Sequence, residues 1–546
     1  MSDDRLRIAL LGWAQLSLQE RQGTGYNLYA SELASGLAER GHPVFYLRSG
    51  LDYALGRGIH VAPFEIWRGV HCSHLFNSPN LSPAAENFRN MPAEMRCPEL
   101  VERVLRWLDD VRADLVHAHS LEGFSLDLPA AIRASGRPLV VTPHNYWYLC
   151  PQVDLLYQER ELCEDYAGGL RCVDCASAPD PASARRRRAT RQTLERLLGP
   201  GFVAATRAQL GTIRAALRTT FTRREPSASS VDSPRADLLR GFEPSADGSF
   251  DHGLRAEPWE APAELGSCAP DQNERFVTAK HHNVIHNGYG TRRATGVAAL
   301  NHVSAILAPS DFLRRSHAAM GVEERRLRTL PYGSPHFDRI HRRALASPFY
   351  EVRPWDPATA RRPLRFAFHG TTRNSKGLLW LLRAIPLLDA DVRKRCQFVI
   401  RASGWDWPFR KLMSPYPELQ FSGGYDSLQL LATGGDYEVG VMTHIWFDNL
   451  PLVMLEHLHG GKFVVTSRLG GPADWIQPPK NGLLYAAGHP DELASCVTRL
   501  VTGEVPIPSP REIHEASPLP SFPDHLRAVE AIYAESLASR AEPPAA

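Results

Sequence analysis

The sequence has almost no net charge to offer a partner: 62 Lys and Arg stand against 60 Asp and Glu, a balance of +2. Such a chain is no polycation seeking nucleic acid. It also lacks long hydrophobic runs, and no uninterrupted apolar stretch approaches the roughly eighteen residues of a spanning helix. The start, Met1-Ser2-Asp3-Asp4-Arg5-Leu6-Arg7, places two acids before the short apolar run Ile8 to Gly12, which is too brief for a secretory core. These absences point to the cytoplasm, either free or at the inner face of the plasma membrane. Cysteine is sparse, nine in 546 residues, yet four of the nine fall between 150 and 175. That clustering suits a metal site better than a secreted disulfide framework.

What is present is alternation. Leu6 to Gly12 reads as a buried strand, Tyr26 to Arg40 as a helix stopped by Gly41-His42-Pro43, and Val44 to Leu47 as a second strand. After an irregular stretch from Leu51 to Pro98 the pattern resumes. Helices near Glu99 to Val111 and Asp127 to Ala134 separate strands at Leu115 to His119 and Pro138 to His144. Ser304 to Ser310, Phe312 to Met320 and Arg328 to Gly333 continue it, and a Pro- and Arg-rich stretch, 336–363, reads as a linker. A second series follows, with strands at Leu364 to Gly370, Gln397 to Ala402, Leu419 to Ser422, Tyr437 to Thr443 and Lys462 to Ser467. The expected class is α/β, with two doubly wound Rossmann-like domains. The N-terminal domain spans 1–335 with an insertion at about 150–283, and the C-terminal one spans 364–510. The segment 511–546 forms a helix and tail that cross back over the first domain.

The stretch with most chemistry is His444 to Glu456, a loop feeding a helix. Asn449 suits its cap, Pro451 its first turn, and Gly460-Gly461 its end. Free N–H groups and the helix dipole make such a start an anion site. Asp448 and Glu456 bracket it. Thr371-Thr372-Arg373-Asn374-Ser375-Lys376-Gly377 places two cations at a strand-to-helix turn, suited to neutralising a diphosphate. Gly23 and Gly25 lie past the first strand, where ligands of open α/β sheets collect, though a plain turn explains two glycines equally well. His119 and His144 stand at strand ends on the same level, and Gly470-Gly471 forms another glycine turn after a strand.

Four thiols in 26 residues, Cys150, Cys163, Cys172 and Cys175, the last two as Cys-Val-Asp-Cys, suit a structural Zn2+. Two disulfides or four reduced thiols are the alternatives. A zinc ribbon for nucleic acid would want a second Cys-x-x-Cys knuckle. Residues 185 to 224 then hold eleven arginines against one acid, Glu195, with Leu210, Ile213, Leu217 and Phe221 at helical spacing. A basic amphipathic segment can lie on anionic lipid or steer an anionic acceptor, and solvated helices are the plain alternative. It lacks the interleaved aromatics that base stacking requires. From Glu225 to about Gln272 the Ser/Pro/Asp/Gly/Glu-rich composition reads as a disordered or loosely attached insertion.

Asp448-Asn449-Leu450-Pro451-Leu452-Val453 with Glu456 resembles the acidic pair of retaining glycosyltransferases of family 4, which have the two-domain GT-B fold with domains facing across a cleft. The glycine loop at 23–25, the histidine loop Thr142-Pro143-His144-Asn145, the turn Lys376-Gly377 and the loop Gly470-Gly471 match the same family in the same order. A subset of that family carries a similar cysteine-rich insert. Three positions depart from the pattern: Asp448 and Asp474 stand where Glu is usual, and Thr371 stands where an arginine is expected, with Arg373 nearby.

The resemblance implies a retaining, metal-independent hexosyltransferase. Lys376 and Arg373 would stabilise the leaving diphosphate, and Asp448 and His144 would orient the donor sugar. Gly23, Gly25, Asn449, Leu450, Gly470 and Gly471 would line the donor site, with Glu456 on the ribose. The partners implied are a UDP- or GDP-sugar and a sugar, lipid-linked or glycoconjugate acceptor in polysaccharide biosynthesis, with an anionic membrane nearby and no nucleic acid. No cofactor is implied for catalysis. Two rivals are a GT-B sugar-nucleotide epimerase and a non-catalytic scaffold organised by a structural zinc site.

Overall fold

The computed structural model describes residues 5–18, 25–84, 87–88, 90–175, 180–204, 206, 288–404, 406–424 and 437–539. Gly23, the apolar positions Leu210, Ile213, Leu217 and Phe221, and the stretch read as disordered lie outside them. Two sheets, one largely and one wholly parallel, organise the molecule.

In chain order the first half runs β1 (Ile8–Gly12), α1 (Gly25–Glu39), β2 (Val44–Asp52), β3 (His60–Trp67), β4 (Val70–Phe76), α2 (Pro98–Asp110), β5 (Leu115–Ala118), α3 (Leu128–Ala134) and β6 (Leu139–Val141). A small ribbon, β7 (Leu156–Tyr157) and β8 (Glu161–Leu162), and the basic helix α4 (Pro181–Leu198) follow. Then come α5 (Tyr289–Leu300), β9 (Ala305–Ala308), α6 (Asp311–Ala319) and β10 (Leu327–Thr329). The eight-stranded sheet has the order β10-β9-β6-β5-β1-β2-β4-β3. Every pairing in it is parallel except β3 with β4.

The irregular stretch from Leu51 to Pro98 thus contains a hairpin. Arg68 and Gly69 both adopt positive φ, 46° and 81°, as a two-residue hairpin turn requires. Pro63 hides β3 from sequence reading because a proline cannot donate to a ladder. Here it sits on the outermost strand, where the register shifts between Pro63 and Glu65.

The stretch read as a linker begins instead with a helix, α7 (Pro335–Leu345). Ser334 caps it by accepting from the His336 N–H at 3.0 Å, Pro335 occupies the first turn, and His336, Phe337 and Ile340 are buried. An amphipathic stripe outweighed the local Pro and Arg content.

The second half runs β11 (Leu364–Thr371), α8 (Leu378–Ala384), β12 (Cys396–Ser403), β13 (Leu419–Phe421) and β14 (Val439–Met442). It continues with α9 (Leu452–His459), β15 (Phe463–Ser467), α10 (Gly471–Trp475), β16 (Gly482–Tyr485) and α11 (Pro490–Thr502). All six strands are parallel, in the order β13-β12-β11-β14-β15-β16. Strand order reverses between β11 and β14, the position at which open α/β sheets form a ligand crevice.

The last helix, α12 (Phe522–Ala538), returns to the first sheet's side. Tyr533 Oη meets His117 Nδ1 at 2.7 Å, His525 Nε2 meets Tyr29 Oη at 2.8 Å, and Arg40 pairs with Glu530 at 2.6 Å. Among the described residues no helix is long and apolar enough to cross a membrane.

Candidate active site

The loops after β11 and β14 meet at the reversal point and lock together through their backbones. Gly377 has φ +71°, and a Cβ there would lie 1.6 Å from the Thr443 carbonyl oxygen. Thr443 Oγ1 donates to Gly377 O at 2.7 Å, and the Ile445 N–H donates to Ser375 O at 3.0 Å. This union brings Lys376 Nζ within 2.7 Å of Asp448 Oδ2 and 5.2 Å from the Trp446 ring centre. Asp448 is 5% exposed and Lys376 more open, so a buried carboxylate backs a partly exposed ammonium.

The glycine turn after β15 seals the other side. Gly471 N–H donates to Asp448 O at 2.7 Å. A Cβ on Gly470 would come 2.3 Å from Asp448 O, and one on Gly471 would come 1.6 Å from Asn449 O. Only glycine lets these chains approach so closely.

Helix α9 begins differently from the sequence reading. Pro451, not Asn449, occupies the N-cap position, and no side chain caps the helix. The extended Pro451 backbone starts the helix, which leaves the Asn449 amide buried at 2% exposure with neither Nδ2 nor Oδ1 hydrogen-bonded in the protein. Leu450 is buried beside it. Glu456 is buried rather than a solvated helix residue, and its Oε1 lies 3.1 Å from His336 Nε2.

On the N-terminal side, side chains do the positioning. His144 Nδ1 is hydrogen-bonded to Tyr332 Oη at 2.9 Å, and its Nε2 lies 3.5 Å from His119 Nδ1. Burial, then His119, holds His144 well below the ordinary histidine range, so it is a neutral imidazole. Burial also lowers His119 to about 3. The neighbouring Asn145 donates to Glu122 Oε1 at 2.8 Å, and Glu122 Oε2 accepts from the Ala84 N–H at 2.7 Å. Burial, then Tyr29, then the Asp448 charge push Tyr332 well above the usual phenol range. The Asp448 charge of one half is therefore felt at the hydroxyl that holds His144 in the other.

Several contacts bridge the halves. Leu452 of α9 lies about where a Cβ on Gly25 would touch it, at 3.0 Å. Phe312 stacks on Phe447 at 5.6 Å, and Asp474 accepts from the Phe312 N–H and pairs with Arg315 at 2.9 Å. The ribbon between Cys150 and Cys163 also reaches over, since Asn374 Nδ2 donates to Glu159 O at 2.6 Å. Arg373 is exposed, and its charge only slightly offsets the burial that raises Asp154 of the same ribbon to about 7. It is thus at the rim and does not join the Lys376–Asp448 pair.

The metal set expected of Cys150, Cys163, Cys172 and Cys175 is not assembled. All four are free thiols, and among the described residues no three His, Cys, Asp or Glu side chains gather to hold a metal ion. They are neighbours nonetheless: burial, then Cys150, Cys163 and Cys175, push Cys172 well above the usual thiol range. Cys175 Sγ turns to Gln152 Oε1 at 3.0 Å, while Cys163 and Cys150 pack into the apolar core, where neutral thiols behave as small hydrophobes.

The basic helix α4 is partly spent on structure. Arg188 donates to Gly50 O and Ser82 O at 2.9 and 3.0 Å, and Arg185 and Arg196 donate to Pro79 O and Tyr53 O. Arg186, Arg187 and Arg191 remain exposed.

Sequence reasoning missed His336, Tyr332 and Trp446. For His336 a signal existed, since Ser334-Pro335 is a cap followed by a first-turn proline. The other two gain their roles only from partners 188 and 70 positions away in the chain, which no local pattern shows.

Two family models match the chain, "Glycosyltransferase Family 4" over residues 23–196 and "Glycosyl transferases group 1" over residues 363–503. The chain belongs to the family 4, group 1 glycosyltransferases. The matches describe the family as a whole, not its cysteine-bearing subset. No curated protein matches this glycosyltransferase. Among solved structures it is similar to sucrose-phosphate synthase from Thermosynechococcus elongatus, at 14% identity and TM-score 0.54, covering 98% of this chain and 100% of that one. The lipopolysaccharide outer core galactosyltransferase WaaB in its apo form gives 12% and 0.52, covering 98% and 100%. The α,α-trehalose-phosphate synthase (UDP-forming) from Burkholderia xenovorans, in complex with glucose-6-phosphate, gives 11% and 0.52, covering 97% and 100%. At these identities the likeness is one of fold, and the fold of this glycosyltransferase is GT-B.

Proposed function

We propose that this glycosyltransferase takes a nucleoside-diphosphate sugar and moves the sugar to an acceptor hydroxyl with retention of anomeric configuration. The observation that carries the reading is the Lys376 ammonium, 2.7 Å from Asp448, standing where strand order reverses and ahead of the uncapped start of α9. A diphosphate there meets a cation, free helix N–H groups and the unpartnered Asn449 amide together. Negative charge grows on the departing diphosphate as the bond from the anomeric carbon breaks, so these groups favour the transition state over the ground state. Asp448 and the neutral His144 orient the donor sugar from the two halves. Glu456 accepts hydrogen bonds from the ribose, and Gly25, Leu450, Gly470 and Gly471 shape the walls.

The acceptor oxygen attacks on the face the leaving group vacates. Its proton passes to a diphosphate oxygen, so no protein nucleophile and no catalytic metal enter the scheme. Arg373, exposed on the same turn as Lys376, offers a second cation to the donor diphosphate. One of the similar structures is a UDP-forming enzyme, which makes UDP the first nucleotide to try. The exposed Arg186, Arg187 and Arg191, with Leu197 and Phe202 exposed near the end of α4, favour a lipid-linked acceptor at an anionic membrane.

Incubation with UDP-, GDP- and ADP-sugars, with and without acceptor sugars, tests the reading by NMR of the anomeric proton. Transfer with the donor's configuration kept is expected. Conversion of donor alone to an epimer would make it an epimerase, and an inverted product would refute the retaining scheme.

A further inference from the structure

Glu456 projects from α9 with 2% of its surface exposed, and a carboxylate that deep requires a partner. His336 Nε2 supplies one at 3.1 Å. This imidazole comes not from the second sheet's layers but from the second residue of α7, the helix by which the chain leaves the first half. Its place is fixed from several sides. Its own N–H donates to Ser334 Oγ at 3.0 Å, and its neighbour Phe337 stacks on His459 of α9 at 5.2 Å. Glu32 of α1 faces the same Ser334 and the same His336 N–H, and burial raises that carboxyl to about 7.

The tautomer follows from the surroundings. His336 Nδ1 is buried without a hydrogen-bond partner. A proton there would be an unsatisfied buried donor and would set the Nε2 lone pair against a carboxylate oxygen. With the proton on Nε2 the ring donates to Glu456, and only a lone pair is left unpartnered.

We propose that His336 is a positioning residue for donor recognition: its Nε2–H holds the Glu456 carboxylate in the orientation that accepts from the ribose hydroxyls. This rests on the ribose role of Glu456 given above. The ribose clamp then belongs to both halves of the molecule, with the carboxylate tethered by the helix that joins them. A change at His336 acts on sugar-hydroxyl recognition without touching the diphosphate grip of Lys376.

The test uses the full chain and calorimetric titration with UDP, GDP and ADP, repeating the tightest of the three as its 2′-deoxy form. Wild type is expected to prefer the ribonucleotide about tenfold, the scale of one charge-assisted hydrogen bond. Glu456→Ala should erase the preference, and His336→Ala should cut it below about threefold. His336→Gln, whose amide N–H reaches the same carboxylate, should restore it, while His336→Leu, similar in bulk but without a donor, should not. If Glu456→Ala keeps the full preference, the ribose role is wrong and the proposal falls with it. If Glu456→Ala loses the preference while His336→Ala keeps it, the ribose role stands and His336 has no part in it. Should His336→Ala not fold, the Gln and Leu variants decide, and equal preference in the two overturns the proposal.

Discussion

The two halves of this glycosyltransferase hold their functional groups by different means. In the C-terminal half the loops carrying Lys376 and Asp448 are joined backbone to backbone, at glycines that leave no room for a Cβ: Gly377 on Thr443, Gly470 on Asp448 and Gly471 on Asn449. In the N-terminal half a set of side-chain hydrogen bonds, Tyr332 with His144, Asn145 to Glu122 and Tyr533 with His117, sets the corresponding layer. A backbone lock is rigid and fails at once when a methyl group intrudes. A polar network gives way one bond at a time and depends on the protonation of its members.

Acid should weaken the network together with the buried neutral histidines of the C-terminal half, among them His457 and His459, each lowered by burial to about 3. Burial lowers His119 to about 3 and His525 to about 4, and it lowers His117 and His144 well below the ordinary range. Above pH ~6.5 both folded and unfolded chains carry these rings neutral. Below it only the unfolded chain takes up the protons, so stability is lost as pH falls from ~6.5 toward ~4. Glu32 and Asp154, each raised to about 7, work in the opposite sense over the same range but are outnumbered. Melting temperature followed from pH 8 to pH 4 should therefore fall steeply below pH ~6.5; a flat profile would contradict neutral burial.

Gly377→Ala should break the lock. With φ at +71° and a carbonyl 1.6 Å from the new methyl, the loop must move. The expected cost is about 2–4 kcal/mol, roughly 5–10 °C in melting temperature, with transfer activity lost. A thermal melt and an activity assay on the same sample check it.

Lys376→Ala leaves the lock intact but removes the cation, and should slow transfer at least about tenfold, the ~1.4 kcal/mol scale of one charge-assisted contact. Steady-state rates decide this. Tyr332→Phe removes one bond from the network, and a loss of about 1 kcal/mol in stability is expected, with at most about fivefold in rate. Denaturant titration gives the first and the same rate assay the second. A larger effect for Tyr332→Phe than for Gly377→Ala would reverse the comparison.

The same contrast explains what could be read from the sequence. Parallel strands such as Ile8–Gly12 and Phe463–Ser467 are continuous apolar runs, and glycines after strands mark close approaches, so both sheets and the glycine-locked loops of the second were legible. The hairpin of β3 and β4 was hidden because Pro63 argues against a strand and Arg-Gly is a weaker turn signal than Asn-Gly. Helix α7 reads as linker in sequence because Arg and Pro dominate 336–363, although its buried stripe, His336, Phe337 and Ile340, lies at helical spacing. Asn449 looked like a cap because its type favours that role, yet Pro451 sets the helix start and frees the amide. The four cysteines looked like a metal set because spacing cannot say where the sulfurs point, and here Cys175 turns to Gln152.

On the proposed reading a diphosphate is gripped where the second sheet reverses its strand order. Calorimetric titration of UDP, GDP and ADP against their parent nucleosides, in wild type and in Lys376→Ala, tests it most directly. At least one diphosphate should bind about tenfold or more tightly than its nucleoside, and Lys376→Ala should close most of that gap. A nucleoside that binds as well as its diphosphate, or a gap that survives the loss of Lys376, would contradict it.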